Sequence, residues 1–296
     1  MNIPARPSLH VAIASLVFVL LWSTGHVATR LGDPYIEPFM FLAIRFALST
    51  VLVAAIALAI RAPWPGTWTA AGHIVVAGLL VHACYLGGVF VAIDLGLPAG
   101  TLAVITGLQP IVTGVLAASL LREAVSARQW SGLVLGFAGV ALVVWEKAGF
   151  EDIPVPAFVA AFACLLAITV GTLYQKRFCQ NADLISGNAI QLCVSATACC
   201  GVALAIETRA VDWSGDLVVA IAWQVVVLSA FSFSLFYWLL RQNEATRVTG
   251  LFYLMAPSTA LMGYLLFGET FGGLGLLGML VAVAGFWLVY RRAAPA

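Results

Sequence analysis

Ten stretches of roughly 17 to 25 residues, almost free of formal charge, divide this chain. They lie at about 8–29, 38–60, 70–93, 97–121, 129–145, 155–175, 184–206, 217–240, 248–268 and 270–290. About 20 apolar residues is the length an α-helix needs to cross the hydrocarbon of a bilayer. In that medium a segment has to satisfy its own backbone hydrogen bonds, which helices do and isolated strands do not. A membrane β-barrel would instead show segments of about ten residues with alternating polarity, whereas 48–60 is apolar on every side. The composition agrees, being 62% hydrophobic and 9% charged, where soluble domains carry about 25% charged residues. A net charge of +1 leaves no basic surface for a nucleic acid. The expectation is an all-α integral membrane protein of ten transmembrane helices.

Lys and Arg in short loops stay on the cytoplasmic side, so their distribution sets the orientation. With the N-terminus inside, the inner segments hold Arg6, Arg61, Arg122, Arg128, Lys176, Arg177, Arg241, Arg247, Arg291 and Arg292. The outer loops hold only Arg30, Lys147 and Arg209, and most of the acidic residues, from Asp33 and Glu37 to Glu207 and Glu269, fall with them. Both termini are therefore expected in the cytoplasm. The first apolar run, behind Arg6, is long enough to span and shows no convincing cleavage site, so it counts as helix one and not as a removed signal. The six cysteines, Cys84, Cys164, Cys179, Cys193, Cys199 and Cys200, form no C-x-x-C pair and read as small core residues.

Sliding the second half over the first by 146 residues aligns Ala43-Ile44 with Ala189-Ile190, Glu123 with Glu269, Gly132 with Gly278 and Gly139 with Gly285. Ser23 then meets Thr169, Arg30 meets Lys176 and Arg45 meets Gln191, while Pro110 meets Pro257 with one residue of slip. The chain reads as two five-helix repeats, 1–148 and 149–296, forming one transmembrane domain. Five is odd, so the copies enter the membrane in opposite directions. Inverted repeats recur in secondary transporters, which bind substrate near the midplane between the copies and open alternately to either side.

Trp22-Ser23-Thr24-Gly25 with Arg30, Ala43-Ile44-Arg45-Phe46, a mid-helix Pro110 followed by Leu120-Leu121-Arg122-Glu123, and the ladder Gly132, Gly136, Gly139 carry a family resemblance, echoed by Pro257 and Gly268-Glu269. The pattern, over about 12–290, resembles the drug/metabolite transporter superfamily and within it the EamA-type family. It is similar in particular to the YddG-type amino acid exporters. The resemblance implies a ten-helix carrier of a bacterial-type inner (plasma) membrane that passes amino acids and also cationic drugs.

The string Gly273-x-Gly275-x-x-Gly278 matches a dinucleotide fingerprint, but it sits inside helix ten without the strand and turn that fingerprint needs. The glycine ladders have instead the four-residue spacing that lets helices approach closely in lipid, within the chain or between copies, which leaves the oligomeric state open, a monomer included. Nothing calls for a cofactor or a metal. Pro110 and Pro257 fall in the interiors of helices four and nine, where each removes a donor and kinks its helix, as a passive bend or as a gating pivot.

Arg45 is the one formally charged side chain well inside a span, and there it needs a partner: a substrate carboxylate, or carbonyls at helix ends. Trp22 and His26 share one helix face, as do His82 and Tyr85. Gln109 beside Pro110 adds an amide, and Thr169, Thr172, Ser229, Ser232, Tyr237 and Tyr253 are the polar residues available from the second half. Taken singly, a Ser or Thr in a membrane helix commonly bonds its own backbone. Taken together they outline a substrate pocket with aromatic walls, suited to a flat apolar side chain or an organic cation.

No Asp or Glu lies deep in a span, so transport down a gradient is expected, with His26 or His82 as the residues able to carry a proton. Helices one to four and six to nine should surround the cavity, with five and ten as braces. The partners are a small-molecule substrate, an amino acid or related metabolite, and the lipid bilayer, with no nucleic acid. A membrane-embedded lipid-modifying enzyme would need an acid/base or metal cluster that the short loops do not offer. A non-transporting receptor or scaffold has no need of an inverted repeat with paired kinks.

Overall fold

The computed structural model describes residues 9–97, 99–145, 154–267 and 272–290. Nine helices among them are long and apolar enough to cross a membrane. They are α1 (Leu9–Gly32), α2 (Pro38–Ala59), α3 (Trp68–Asp94), α4 (Thr101–Leu120), α5 (Ala127–Trp145), α6 (Val155–Phe178), α7 (Leu184–Ile206), α8 (Gly215–Gln242) and α10 (Gly273–Tyr290). The tenth, α9, runs in three pieces: Ala245–Gly250, a 3-10 turn Leu251–Leu254, and Met255–Phe267.

Local chemistry sets the helix ends. Pro38 and Pro156 stand in first turns, where a missing N–H costs nothing. Asp183 accepts from the N–H groups of Ile185 and Ser186, both at 3.0 Å, and Thr67 and Ser214 cap α3 and α8 in the same way. Large apolar side chains, among them Leu58, Val159, Leu265 and Leu280, lie exposed on the outer faces, a surface suited to lipid and not to water. Exposed Trp64 and Trp68 stand at one end of the bundle and Trp145 and Trp213 at the other, the usual placing of interfacial anchors.

Helix packing follows the repeat. Three pairs join a helix to its own counterpart five places on, α2 with α7, α4 with α9 and α5 with α10, while α1 with α8 and α3 with α6 are exchanged for one another by the same operation. The counterparts run antiparallel. At one end of the α2–α7 pair Glu207 accepts from the N–H groups of Phe39 (2.6 Å) and Met40 (2.7 Å), and at the other Ser186 Oγ donates to Pro63 O (2.7 Å). In the α5–α10 pair Gly132 faces Gly285 and Val289, while Gly139 faces Gly278 and Ala282. The glycine ladders are therefore spent inside the chain: a Cβ on Gly139 would stand 2.2 Å from the Ala282 nitrogen, and one on Gly285 2.2 Å from that of Gly136. The two halves are thus related by an inverting operation, and α5 and α10 stand outside the cavity described below.

The two helices with mid-span prolines are broken, not merely bent. In α4 the helix lapses at Gly107 and Leu108, whose N–H groups reach Ala103 O and Ile105 O, and restarts at Gln109 with Pro110 in its first turn. In α9 the 3-10 turn directly precedes the stretch holding Pro257. A second paired irregularity has no signal in the sequence. Leu79–Cys84 of α3 and Gln224–Ser232 of α8 are π-helical, and the first, moved by 146 residues, falls within the second. Each stands beside or holds a carbonyl bonded to α7: Gly78 O, just before the first, accepts from Ser195 Oγ (3.1 Å), and Ser229 O, within the second, from Asn188 Nδ2 (2.8 Å). The cysteines divide, with Cys164, Cys179 and Cys199 buried as expected but Cys84, Cys193 and Cys200 on exposed faces, where a small apolar side chain meets lipid as readily as a core.

Candidate functional site

A cavity of about 400 Å³ lies between α1, α2, α3 and α8 and reaches the end of the bundle that carries Asp94. Its wall is aromatic and aliphatic, with Trp22, Phe41, Tyr85, Phe90, Phe233, Leu42 and Leu228, and a few polar groups converge on it: Thr29, Arg45, Gln224 and, at the rim, Asp94. Two cavities of similar size lie away from Arg45. One of about 440 Å³ lies under the α2–α3 loop, and one of about 430 Å³ is an apolar groove of α1, α8 and α9.

Arg45 is the feature that most constrains what the cavity accepts. Its side chain is 5% exposed, its Nε donates to Ser229 Oγ at 3.1 Å, and its guanidinium carbon lies 5.3 Å from the Phe46 ring centroid. Among the described residues no carboxylate pairs with it; the ion pairs there are Lys176–Glu123 and Arg247–Glu244. A guanidinium in an apolar wall with one hydroxyl partner keeps spare donors aimed at whatever occupies the cavity.

Rings close the cavity below. Trp22 packs on Phe233 with centroids 4.7 Å apart, on Phe18 at 5.3 Å and on Phe252 at 5.6 Å. Beneath this floor runs a sealed polar chain. The Tyr237 hydroxyl donates to Gln191 Oε1 at 2.6 Å and lies 3.1 Å from His82 Nε2, while Gln191 Nε2 donates to Gln175 Oε1 at 2.8 Å. The phenol spends its one proton on Gln191, so His82 donates through Nε2–H and leaves Nδ1 as a bare acceptor, which has no partner.

The far end of the bundle is laced shut. Lys176 pairs with Glu123 at 2.6 Å and also bonds Asn243 O. Glu123 caps α9 at Ala245 N (2.9 Å), Gln129 Nε2 reaches Glu244 (3.0 Å), and Arg241 bonds Cys179 O and Ala182 O. At the Asp94 end the ties are backbone caps and loop contacts, notably Glu37 with Thr208 and Arg209 and the bridge Ile36–Val211.

The residues singled out from the sequence separate accordingly. Trp22, Arg45 and Tyr85 line the cavity together, and Ser229 stands behind Arg45. His82 and Tyr237 lie below the ring floor in the sealed chain. Thr169 and Thr172 donate to Leu165 O and Ile168 O of their own helix (2.7 Å each), and Tyr253 donates to Leu133 O (2.9 Å) while its ring fills the notch over Gly136. Gln109 and Ser232 are buried outside the lining, with Gln109 Nε2 and Ser232 Oγ unpartnered. The His26 side chain, like Glu269, lies outside the described residues. Sequence reasoning missed Phe41, Phe90, Gln224 and Phe233. Phe41 stands one turn before Arg45 and was legible from helix spacing, whereas Phe90 and Gln224 depend on how α3 and α8 turn through their π segments.

Comparison with known proteins accords with this arrangement. The EamA-like transporter family matches twice, over residues 10–145 and 155–291. An uncharacterized transporter YvbV of Bacillus subtilis is 24% identical over 97% of this chain and 93% of its own length. A probable amino-acid metabolite efflux pump of Salmonella typhimurium is 22% identical over 93% of this chain and 92% of its own. The aromatic amino acid exporter YddG of Ancylobacter novellus is 27% identical over 57% of this chain and 59% of its own. A solved crystal structure at 21% identity superposes with a TM-score of 0.82 over 94% of this chain and 96% of that one, which establishes a shared fold. The chain belongs to the EamA-like transporter family, and it is a membrane transporter and not an enzyme.

Proposed function

We propose that this transporter exports amino acids with apolar or aromatic side chains by alternating access through the cavity, with Trp22, Tyr85 and Phe233 holding the side chain and Arg45 the carboxylate. The observation that carries the reading is a buried guanidinium without a carboxylate partner in an otherwise ring-lined wall. A flat side chain matches the rings, and an α-carboxylate matches the planar donor fork of Arg45. A permanent organic cation would suit the ring faces but would meet Arg45 as a like charge. Two relatives bear names of amino acid export or efflux, which supports the class.

Orientation belongs to the same proposal. The Lys176 end carries most of the basic loop residues, which assigns it to the cytoplasm together with both termini, so the cavity opens outward. Among the described residues no carboxylate lines the cavity short of Asp94 at its rim, which supports downhill movement without a coupling ion. Each repeat, 1–148 and 149–296, acts as one moving body. Purified protein in liposomes should release a preloaded aromatic amino acid. Release no faster than from protein-free liposomes, across a panel of amino acids, rejects the reading.

A further inference from the structure

We propose that the sealed chain Gln175–Gln191–Tyr237–His82, with Asn188, is the second substrate subsite: the surface that takes the cargo's carboxylate once the bundle has opened at the Lys176 end. This rests on the alternating-access reading above.

The inference comes from carrying the cavity across the repeat. Shifted by 146 residues, Arg45 becomes Gln191, Thr29 becomes Gln175, Leu42 becomes Asn188, and Leu228 returns to His82. Four cavity-lining positions therefore have as counterparts three members of the buried chain and the buried Asn188, one turn before Gln191, whose Nδ2 donates to Ser229 O. The halves differ in packing and not in architecture. Between α1 and α8 there is a cavity, and a Cβ on Gly25 would meet only the flexible end of Leu228, at 3.2 Å. Between α3 and α6 the 440 Å³ cavity stays at the loop end, at His73, Ile74 and Phe178, and deeper in glycines bring the helices into contact: a Cβ on Gly171 would lie 2.7 Å from Val81, and one on Gly88 2.7 Å from Cys164. At mid-depth one half is open and its counterpart is shut, as two states of one unit would be.

The shut half also bears the marks of a site without its ligand. His82 Nδ1 and Asn188 Oδ1 are buried with no hydrogen-bond partner, although His82 is 0% and Asn188 1% exposed. The amides of Gln191 and Gln175 bond chiefly one another and Tyr237, partners they can exchange for a carboxylate and water. These donors are neutral. In export the cargo therefore passes from amides to a guanidinium, and it is held less tightly on the side where an exporter meets its highest substrate concentration.

The test uses the full protein in liposomes, in a background with Cys84, Cys193 and Cys200 changed to alanine. Asn188→Cys is exposed to a membrane-impermeant methanethiosulfonate applied from the Lys176 side, with and without saturating phenylalanine or tryptophan, whichever the parent protein transports. Labelling at position 188, above the parent background, should be slow without amino acid and about tenfold faster with it, as a minor open state becomes a major one. In a separate arm, Gln191→Arg should lower the half-saturation concentration measured from the Lys176 side about tenfold, the step from a neutral to a charge-assisted hydrogen bond. If the parent protein transports while labelling of Asn188→Cys stays as slow with substrate as without, and Gln191→Arg leaves half-saturation unchanged, the subsite is refuted and the transport reading stands. If the parent protein shows no flux, both fall.

Discussion

Replacing Arg45 by glutamine gives this position the residue its counterpart already carries, so the shape fits a helix of the same kind. The change removes a buried cation whose protein partner is Ser229 Oγ, at 3.1 Å. Ser229 loses one donor and no carboxylate is left unpaired, so the thermal midpoint in detergent should not fall. Cargo binding is what suffers. A hydrogen bond to a charged group contributes about 1.5–3 kcal/mol and a neutral one about 0.5–1.5 kcal/mol, so the exchange costs about 1–2 kcal/mol, or a factor of about 5–30 in affinity. Counterflow measured from the Asp94 side should show half-saturation for an aromatic amino acid rising by that factor. The amide of the same amino acid has no carboxylate to lose and should change little. Equal responses of acid and amide, or no change in either, would show that Arg45 does not hold the carboxylate and that its role is to tie α2 to α8.

Gly285→Val should lower the thermal midpoint, because its Cβ would stand 2.2 Å from a backbone nitrogen of α5 and the two helices must part; overpacking of this kind costs about 1–3 kcal/mol or more. An unchanged midpoint would mean the α5–α10 seam is looser than described. Glu123→Gln breaks the 2.6 Å pair with Lys176, whose side chain is 11% exposed, and weakens the α9 cap at Ala245; a loss of about 1–3 kcal/mol is expected, and Lys176→Met added to it should cost little more. Fully additive losses in that double-mutant cycle would argue against a shared contact. Glu37 supplies a pH dependence: bonds from the Thr208 hydroxyl and N–H, then from Arg209 and Ala210, hold its carboxyl below the ordinary value. A depressed folded-state pKa stabilises fully above the unfolded value of about 4.3, and that contribution is lost as pH falls through the folded value. The midpoint should drop as pH falls below about 4.3, and Glu37→Gln should reduce the drop; an identical profile in the variant would exclude this carboxylate.

The features legible in the sequence are those with a regular repeat or a large energetic penalty behind them. Helical crossings follow from uncharged length, the inversion from an odd helix count, and the glycine seam from four-residue spacing. Arg45 was visible because a charge in hydrocarbon has to be explained. Thr169 and Thr172 show the limit, since a hydroxyl that bonds its own helix and one that faces a cavity look alike in sequence. His82 and Tyr85 show a second limit. Three residues apart, they share a face on an ideal helix, but the π-helical segment ending at Cys84 changes the turn between them, and one lines the cavity while the other is sealed beneath it. The prolines marked where α4 and α9 break, but not how far upstream each break begins.

The difference between Arg45 and Gln191 carries a last consequence for how the two halves exchange. When the α3–α6 half is shut, Gln191 is satisfied by Gln175 and Tyr237. The counterparts of those two partners are Thr29, whose hydroxyl donates to Gly25 O at 3.0 Å, and Val91, which offers no side-chain acceptor. If the α1–α8 half shuts in the same way around an empty cavity, Arg45 is sealed with Ser229 as its one partner. A cation stranded in a membrane interior costs at least about 2.5 kcal/mol, which makes empty closure about seventyfold less populated than closure with the charge neutralised. A bound carboxylate provides that neutralisation. On the proposed reading the loaded carrier therefore crosses readily and the empty one does not, so exchange of labelled amino acid against unlabelled should outpace net release. Arg45→Gln should bring the two rates together, because an amide can be shut away empty. Net release as fast as exchange in the unaltered protein would remove the charge from the gating step and leave Arg45 a role in binding alone.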